Sequence, residues 1–321
     1  MKRVFLFILT NLANAILNGA GDTTTPLAIA VVQTAIGLFA EWALIQGHLG
    51  APALGIKGVA LGAACGQVAG LLLVARVLVS GRARVHVRAR HLRPDPAMLK
   101  QLISLSWPPA IQLMGGFLVT IFFIRWMGDF GPKAQAAYSI GLRLGMTTPM
   151  ICFPLAGAIA TLVGQAIGAS DVKRAWRALG LGILVHGGLM WSLALFFFFF
   201  RYEVLGFFTS DPEVIDIGAR LLVWQAASYG FLAFYFVFFR ALQGAGDVRV
   251  PMLISIGGSL FFTLPLGWAL STVLDWGPDG LFIANFIGAA VSTVATGAWV
   301  ATGNWTRART RALERMSSSG R

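Results

Sequence analysis

Ionisable side chains are rare inside the long apolar segments of this sequence, and those few are the residues that could do chemistry there. Glu41 is the clearest carboxylate, because it lies about sixteen residues into the first full apolar segment. A carboxylate at that depth could bind a proton or a cation, which is the chemistry of a coupling site. An interfacial acid that is hydrogen-bonded or reaches toward water is the alternative, and the sequence leaves both open.

The other candidates are one cation within an apolar segment and a set of polar and aromatic side chains. Arg143 lies about nine residues inside a later segment, where a guanidinium needs a carbonyl, carboxylate or water partner. Gln112, Gln225 and Tyr229 lie in apolar segments and could line a cavity for a small organic compound. Trp224 could add an aromatic wall that attracts organic cations. Interhelical hydrogen bonds and ordinary packing are the alternative for each residue.

No pattern typical of an enzyme accompanies these residues. The sequence has no HExxH, GxxxxGK[ST] or GxSxG motif, and no cluster of His, Asp and Glu that could bind a catalytic metal. Hydrophobic residues make up 57% of the 321 residues and charged residues only 12%, with a mean hydropathy of +0.74. Soluble domains carry about a quarter charged residues. The sequence therefore predicts a membrane protein without enzyme activity, whose first partner is the lipid bilayer.

The apolar segments are long enough to be transmembrane helices, which need about 20 residues. They lie at 26–46, 57–79, 101–127, 134–167, 176–200, 214–240, 250–273 and 280–302, and a shorter run at 4–17 precedes them. The short joins between them leave no room for a soluble domain. We therefore predict an all-α, polytopic membrane helix bundle.

The basic residues fall on one side of the membrane if every apolar segment crosses it once. The net charge is +12. The basic joins and tail contain Arg82, Arg84, Arg88, Arg90, Arg93, Lys100, Lys173, Arg174, Arg177, Arg240, Arg249, Arg307, Arg309, Arg311, Arg315 and Arg321. The positive-inside rule predicts that these joins and the C terminus are cytoplasmic. We expect the protein in the inner (plasma) membrane. Because topology accounts for the charge, no nucleic-acid partner is predicted.

Two copies of one short motif, 225 positions apart, indicate an internal duplication. The motif reads NGAGDTTTP from Asn18 and QGAGDVRVP from Gln243. Its glycines permit a tight helix exit, its Asp can accept hydrogen bonds from the next helix, and its Pro fits a first helical turn. The turn residues are Gly19, Gly21, Asp22 and Pro26 in the first copy, and Gly244, Gly246, Asp247 and Pro251 in the second. We interpret both copies as structural cytoplasmic turns, because a phosphate-binding loop would need further glycines and a Lys.

The repeat extends beyond the two turns. Each turn leads into an apolar helix, a short outer loop and a second helix that carries a small residue at every fourth position. These rows are Gly58, Gly62, Gly66 and Gly70 in the first copy, and Gly280, Ala284, Gly288 and Ser292 in the second. Such a row lets another helix backbone approach closely. Repeats related by an axis along the membrane normal are a known plan of transporters.

Three sequence features together resemble the multidrug and toxic compound extrusion (MATE) family. They are the repeated Gly-Ala-Gly-Asp-x-x-x-Pro turn, LVGQAIGASDVKRAWRA from Leu162, and SWPPAIQLMGGFLVTIFFIRWMG from Ser106. The second feature is similar to the family segment that ends one helix and begins the next, so Gln165, Asp171 and Arg174 are interpreted as residues of a capped cytoplasmic turn. The resemblance covers essentially the whole chain.

The resemblance implies twelve helices in two six-helix lobes that alternate between inward-open and outward-open states. It implies export of organic, cationic or amphipathic compounds, driven by inward movement of H⁺ or Na⁺. No cofactor is expected, because the coupling ion is itself transported, and a monomer is expected. The carboxylates that many family members have in the seventh and tenth helices have no counterpart near Met114 or within 220–242.

Aligned with that plan, the chain is expected to begin near the end of the fourth helix, so that the first lobe is incomplete. The predicted division has residues 1–80 as the remainder of the first lobe, with a partial helix and two full helices. Residues 81–100 are a basic cytoplasmic linker, 101–303 a complete six-helix second lobe, and 304–321 a basic cytoplasmic tail. A secretory signal at the N terminus is a minor alternative. Two alternatives to antiport stay open: a lipid-linked oligosaccharide flippase of the same superfamily, and a membrane fragment that is inactive without further helices.

Overall fold

The structure is a computed structural model that describes residues 2–50, 52–80 and 95–307. The regular structure within these ranges is helical. The helices are α1 (Lys2–Gly19), α2 (Thr24–Gln46), α3 (Ile56–Ser80), α4 (Pro96–Asp129), α5 (Pro132–Gly168), α6 (Val172–Phe199), α7 (Arg201–Gly206), α8 (Pro212–Gly244), α9 (Arg249–Val273) and α10 (Pro278–Ala301). Most of the predicted linker, 81–94, and most of the predicted tail, 308–321, lie outside the described residues.

The membrane-spanning helices agree with the sequence prediction. Eight described helices are long and apolar enough to cross a bilayer, namely α2 to α6 and α8 to α10. Each of the eight predicted segments corresponds to one of these helices, with ends that differ by a few residues. The shorter predicted run at 4–17 lies within α1, an 18-residue helix. The predicted all-α membrane bundle is therefore confirmed.

The chain divides into two compact units, Met1–Pro96 and Ala97–Arg321. The first unit contains α1 to α3, and the second contains the helices from α4 to α10. The division falls inside the segment 81–100 that the sequence suggests as a linker. Each unit has its own apolar core: Leu17 and Val74 are fully buried in the first unit, and Val237 is fully buried in the second.

In the first unit, the glycine row of α3 packs directly on α2. A Cβ atom built on Gly58 would lie 2.6 Å from the carbonyl oxygen of Leu44, and one built on Gly66 would lie 2.8 Å from that of Gln33. Since real side chains do not approach backbone so closely, only glycine fits there. The expected close helix packing is therefore confirmed, and it brings the two backbones together along the length of the pair.

In the second unit, α8 is the central helix and packs against α5, α6 and α10. The second small-residue row, on α10, faces α9: a Cβ atom on Gly280 would lie 2.6 Å from the backbone carbon of Leu270. Ion pairs join α8 to its neighbours near its N-terminal end. Lys133 of α5 binds Glu213 at 2.5 Å, and Arg220 of α8 binds Asp279 of α10 at 2.8 Å.

Two local features are absent from the sequence prediction. The six-residue helix α7 lies between α6 and α8. Two stretches of α9, Gly258–Thr263 and Ala269–Val273, are π-helical. Pro265 lies just after the first stretch and lacks the N–H that would continue an α-helical ladder, and the hydroxyl of Thr263 donates to the carbonyl of Gly258 five residues back.

Candidate functional site

The first polar contact within the second unit joins α4 to α8. The amide Nε2 of Gln112 donates to the hydroxyl of Tyr235 at 2.8 Å. Tyr235 is almost fully buried, and its ring stacks on Phe239 at 6.0 Å with an angle of 8° between the planes. Gln112 thus contacts Tyr235, a residue that the sequence analysis did not single out. A phenol and an amide that are already paired can accept a further polar group through the oxygen of the amide.

The second polar feature is a small cavity between α4, α5, α8 and α10. Its volume is about 50 Å³, and Trp224, Gln225, Tyr138 and Phe123 contribute to its wall. The Nε2 of Gln225 donates to the carbonyl of Gly141 at 3.4 Å, while its buried Oε1 has no hydrogen-bond partner among the described residues. This space suits a water molecule or a small cation, and is far too small for a drug-sized compound.

Tyr229 and Arg143 lie on different faces of the α5–α8 pair. Tyr229 is 3% exposed and lies in an apolar cluster with Cys152 and Ala233. Its hydroxyl lies on the same side as Gln225, because a Cβ atom on Gly145 would meet both side chains. Arg143, one helix away, is exposed on α5. The structure thus brings Trp224, Gln225 and Tyr229 near one another, and it leaves Gln112 and Arg143 elsewhere in the unit.

Glu41 belongs to the first unit and lies in the close contact of α2 with α3. A Cβ atom on Gly62 would overlap the backbone and the Cγ of Glu41, so the glycine makes room for this residue. The carboxylate is half-buried. Further along α3, Gly66 makes room for the backbone carbonyl of Gln33, and Gly70 makes room for its side-chain amide. Polar side chains in this unit are therefore positioned by missing side chains on the facing helix.

The two Gly-Ala-Gly-Asp turns have matching backbone geometry. In the first, the N–H of Asp22 donates to Leu17 at 3.0 Å, and Gly21 has a φ of +81°. In the second, the N–H of Asp247 donates to Leu242 at 2.9 Å, and Gly246 has a φ of +85°. In each turn the N–H of the left-handed glycine also donates, from Gly21 to Asn18 and from Gly246 to Gln243, both at 3.0 Å. These two hydrogen bonds with a left-handed glycine are the Schellman motif that ends many helices. The turns follow helix ends, and Pro26 and Pro251 lie in the first turns of α2 and α9.

The two aspartates differ, which corrects one expectation. Asp22 accepts hydrogen bonds from the hydroxyl of Thr25 at 2.7 Å and from its N–H at 3.1 Å, and these hold the pKa of the Asp22 carboxyl below its usual value. Asp247 was expected to act the same way. Instead it accepts from the indole N–H of Trp299 at 2.8 Å. One difference is local: the hydroxyl donor three positions after Asp22 is Thr25, whereas the residue three positions after Asp247 is Val250, which has no hydroxyl.

A third turn of the same geometry joins α5 to α6. The N–H of Ala169 donates to the carbonyl of Gln165, and the N–H of Asp171 donates to Ala166 at 2.9 Å. Asp171 then caps α6 by accepting from the N–H of Arg174 at 2.9 Å. Ser170 takes the left-handed position, with a φ of +58°. The capped turn predicted here is confirmed, and Gly-Ala-Ser-Asp proves to be a variant of the same motif, with Ser in place of the second Gly.

Two further polar residues were missed as candidates. Tyr235 lies in an aromatic run and was not proposed as a candidate, although a phenol in the middle of a membrane span is a polar group that needs a partner. Arg240 was counted only as a topology signal, but its guanidinium lies over the ring of Phe153 at 4.4 Å and donates to Gln243. Within the described ranges, no group of three or more His, Cys, Asp or Glu side chains is placed to hold a metal ion.

Comparison with known proteins gives a consistent family match. The family model described as MatE matches residues 108–269. The chain is 25% identical to the probable multidrug resistance protein NorM of Thermotoga maritima, over 96% of this chain and 66% of that protein. It is 28% identical to the probable multidrug resistance protein YoeA of Bacillus subtilis, over 79% of this chain and 56% of the relative. The multidrug resistance protein PmpM of Pseudomonas aeruginosa is 26% identical, with coverages of 85% and 59%. The chain thus spans between about half and two thirds of the length of these relatives.

Solved structures share the fold. A crystal structure of MATE in the bent conformation superposes with a TM-score of 0.83 at 19% identity, over 98% of this chain and 68% of that one. The outward-facing conformation of a multidrug resistance MATE family transporter of the MOP superfamily gives 0.83 at 20% identity, over 97% and 68%. At this level of identity, the similarity shows a common fold and no more.

Proposed function

The chain belongs to the MatE family, and from that premise we propose that it works as a secondary transporter that exports organic and xenobiotic compounds. Members of this family are multi-pass inner-membrane transporters and not enzymes, in accord with the eight membrane-spanning helices. The observation that carries the proposal is the similarity to three proteins named for multidrug resistance, which extends over 79% to 96% of this chain.

Export would be coupled to inward movement of H⁺ or Na⁺ through alternating access. Within the first unit, Glu41 is the proposed coupling residue, because its half-buried carboxylate lies in a membrane-spanning helix and is held against Gly62. A carboxylate in such a place can bind a proton or Na⁺ in one state and release it in another. The transported ion takes the place of any cofactor.

Polar and aromatic side chains of the second unit are the proposed substrate contacts. Gln112 with Tyr235, and Gln225 with Trp224 and Tyr229, supply hydrogen-bonding groups and π faces suited to cationic or amphipathic organic compounds. Because the cavity at Gln225 admits only a water molecule or a small cation here, the compound would reach these residues in a more open state of the transport cycle. Arg143 is proposed to support the polar surface of α5. We further propose that the protein acts as a monomer, with its basic joins and C terminus in the cytoplasm.

The test is dye export by the 321-residue chain in a bacterial strain that lacks its own efflux pumps. We expect cells that express the chain to hold less ethidium than cells with an empty vector. A protonophore should abolish the difference if H⁺ is the coupling ion, and replacement of external Na⁺ by K⁺ should abolish it if Na⁺ is.

The control is the amount of chain in the membrane fraction, measured by immunoblot in the same cells. If the chain is present and folded in the membrane but dye accumulation equals that of the vector strain, this chain does not export the dye. A panel of neutral, cationic and anionic dyes then separates a wrong substrate class from an absent activity.

A further inference from the structure

An apolar groove runs along the face of α8 that points away from Tyr229. Its volume is about 510 Å³, and Trp191 of α6, Phe231, Phe234 and Phe238 of α8, and Phe286 of α10 form its walls. Between Ala227 and Phe238 the groove follows α8 for about 16 Å at 1.5 Å per residue. Its length and its aromatic walls distinguish it from the small polar cavity at Gln225.

The groove exists because small residues lie between the aromatic walls. Gly230 of α8 and Gly297 of α10 both line it. A Cβ atom on Gly230 would lie 3.9 Å from the ring of Trp191, which leaves ordinary contact distance and no overlap. Val294 lines the same groove and is 65% exposed, so the groove is open along one side. In a membrane-spanning unit, an open apolar groove of this shape is suited to a hydrocarbon chain.

Two cations lie on α6 toward one end of this groove. Lys173 and Arg177 are exposed at the start of α6. Lys173 precedes Trp191 by eighteen residues, or five full helical turns, so the two lie on one face of α6. Arg177 lies within 40° of that face, by the same arithmetic at 100° per residue.

The cations lie just beyond one end of the groove. The ring of His186 on α6 lies 3.1 Å from the carbonyl of Ala233, and a Cβ atom on Gly182 would lie 3.4 Å from Val237, so Phe238 is level with about residue 181 of α6. At 1.5 Å per residue, Arg177 is about 6 Å and Lys173 about 12 Å further toward the start of α6, which lies beside the end of α8. These two helix ends are on the same side of the unit, because the end of α5 packs on the end of α8: a Cβ atom on Gly164 would lie 3.0 Å from the carbonyl of Gly244. Trp176 and the fully buried Trp305, with ring centroids 5.3 Å apart, lie at this end as well.

We propose that this groove is a binding site for one acyl chain of an anionic phospholipid, whose phosphate binds Lys173 and Arg177. The aromatic walls exclude water and pack on the chain, and the two cations at the basic end select a negative headgroup over a zwitterionic one. Basic pockets beside membrane helices bind anionic headgroups by this chemistry. The site goes beyond the proposed transport function and does not depend on it.

Selectivity for the headgroup tests the cationic part of the site. The purified full chain in neutral detergent would be titrated with phosphatidylglycerol, with phosphatidylcholine of the same acyl chains, and with glycerol phosphate, and bound lipid would be counted by native mass spectrometry. We expect a preference for phosphatidylglycerol of about fivefold for each cation. The double variant K173Q/R177Q should bind both lipids equally, while R201Q, at the first residue of α7 just past the opposite end of α6, should keep the preference. An unchanged preference in K173Q/R177Q overturns the proposal, and so does binding of glycerol phosphate as tight as that of the lipid.

Filling the groove tests the acyl-chain part. G230L should lower binding of both lipids severalfold, whereas G116L, at an exposed α4 glycine with nothing within 4 Å, should not. V294W also fills the groove but replaces an exposed residue, and it is the alternative variant if G230L does not fold. Retention of lipid by a folded groove variant contradicts the proposal. A lipid-free dimer of the wild-type chain that G230L converts to monomer also contradicts it, because a second copy would then cover the groove.

Discussion

Asp22, Asp171 and Asp247 each follow a turn of the same backbone geometry, yet their carboxylates have different partners. Asp22 accepts from Thr25 and Asp171 accepts from the N–H of Arg174, so both stabilise the start of the following helix. Asp247 accepts from Trp299 and therefore ties its turn to the end of α10. The backbone motif sets where the carboxylate lies, and the neighbouring donors decide what it binds.

The first residues of the two repeated turns, Gly19 and Gly244, should respond very differently to alanine. A Cβ atom on Gly244 would overlap the backbone of Ala160, with its carbonyl carbon at 2.9 Å, whereas one on Gly19 would meet nothing within 4 Å. We expect G244A to destabilise the protein by about 2 kcal/mol or more, because overpacking against backbone cannot be relieved by a rotamer change. G19A should be neutral or slightly stabilising. Thermal unfolding of both variants in detergent measures this, and equal effects would contradict the packing argument.

Ser170 should be improved by glycine, because it is a serine with a φ of +58°. A left-handed conformation costs a residue with a side chain about 1 kcal/mol, and glycine avoids this cost. We expect S170G to raise the unfolding free energy by up to that amount. The matched control is S192G inside α6, which should lose about 0.5 kcal/mol because glycine is the poorer helix former. A loss of stability in S170G, measured in the same detergent, would show that the Ser170 side chain makes a contact worth more than the strain.

At the scale of helices, the sequence predicts what depends on composition and misses what depends on neighbours. The eight spans follow from apolar length alone, and the close α2–α3 contact follows from the four-residue spacing of glycines on α3. The short helix α7 does not, because RYEVLG is too short to show a helical period. The first π-helical turn of α9 also escapes, since it arises next to Pro265, which interrupts the backbone ladder within a packed helix. The second, Ala269–Val273, has no sequence signal of its own.

The start of α8 should give a pH-dependent contribution to stability. The N–H of Glu213 donates to Asp211 at 3.0 Å and holds the pKa of that carboxyl below its usual value. A lowered folded-state pKa means that the stabilisation is present above the unfolded-state pKa and is lost as pH falls through the folded-state value. We expect D211A to unfold at a lower temperature than wild type at pH 7, and the difference to shrink as the pH falls below about 4. D129A, at an exposed aspartate that ends α4, is the control, and a difference between D211A and wild type that does not change with pH would refute the assignment.

At the scale of the whole molecule, residue types alone do not predict which polar side chains come together in the candidate site. Gln112, Gln225 and Tyr229 are polar residues in apolar helices, and the sequence leaves open whether each lines a cavity or forms an interhelical hydrogen bond. The structure pairs Gln112 with Tyr235, while Gln225 lines the small cavity and donates to Gly141. Which face of a helix a lone polar residue occupies depends on the neighbouring helix, and a single sequence gives no helix-to-helix register. Amphipathic periodicity is also weak when both lipid and core are apolar.

The proposed coupling role of Glu41 leads to a test on the complete chain in proteoliposomes. Replacing Glu41 by Gln keeps the shape that fits over Gly62 and removes the charge that would bind H⁺ or Na⁺. We expect E41Q to fold with wild-type thermal stability and to reduce dye movement under an imposed pH or Na⁺ gradient to that of protein-free liposomes. E203Q, an exposed glutamate of α7, should transport as the wild type does. If E41Q transports at the wild-type rate under both gradients, Glu41 is an interfacial acid held by packing, and the coupling ion binds elsewhere in the molecule.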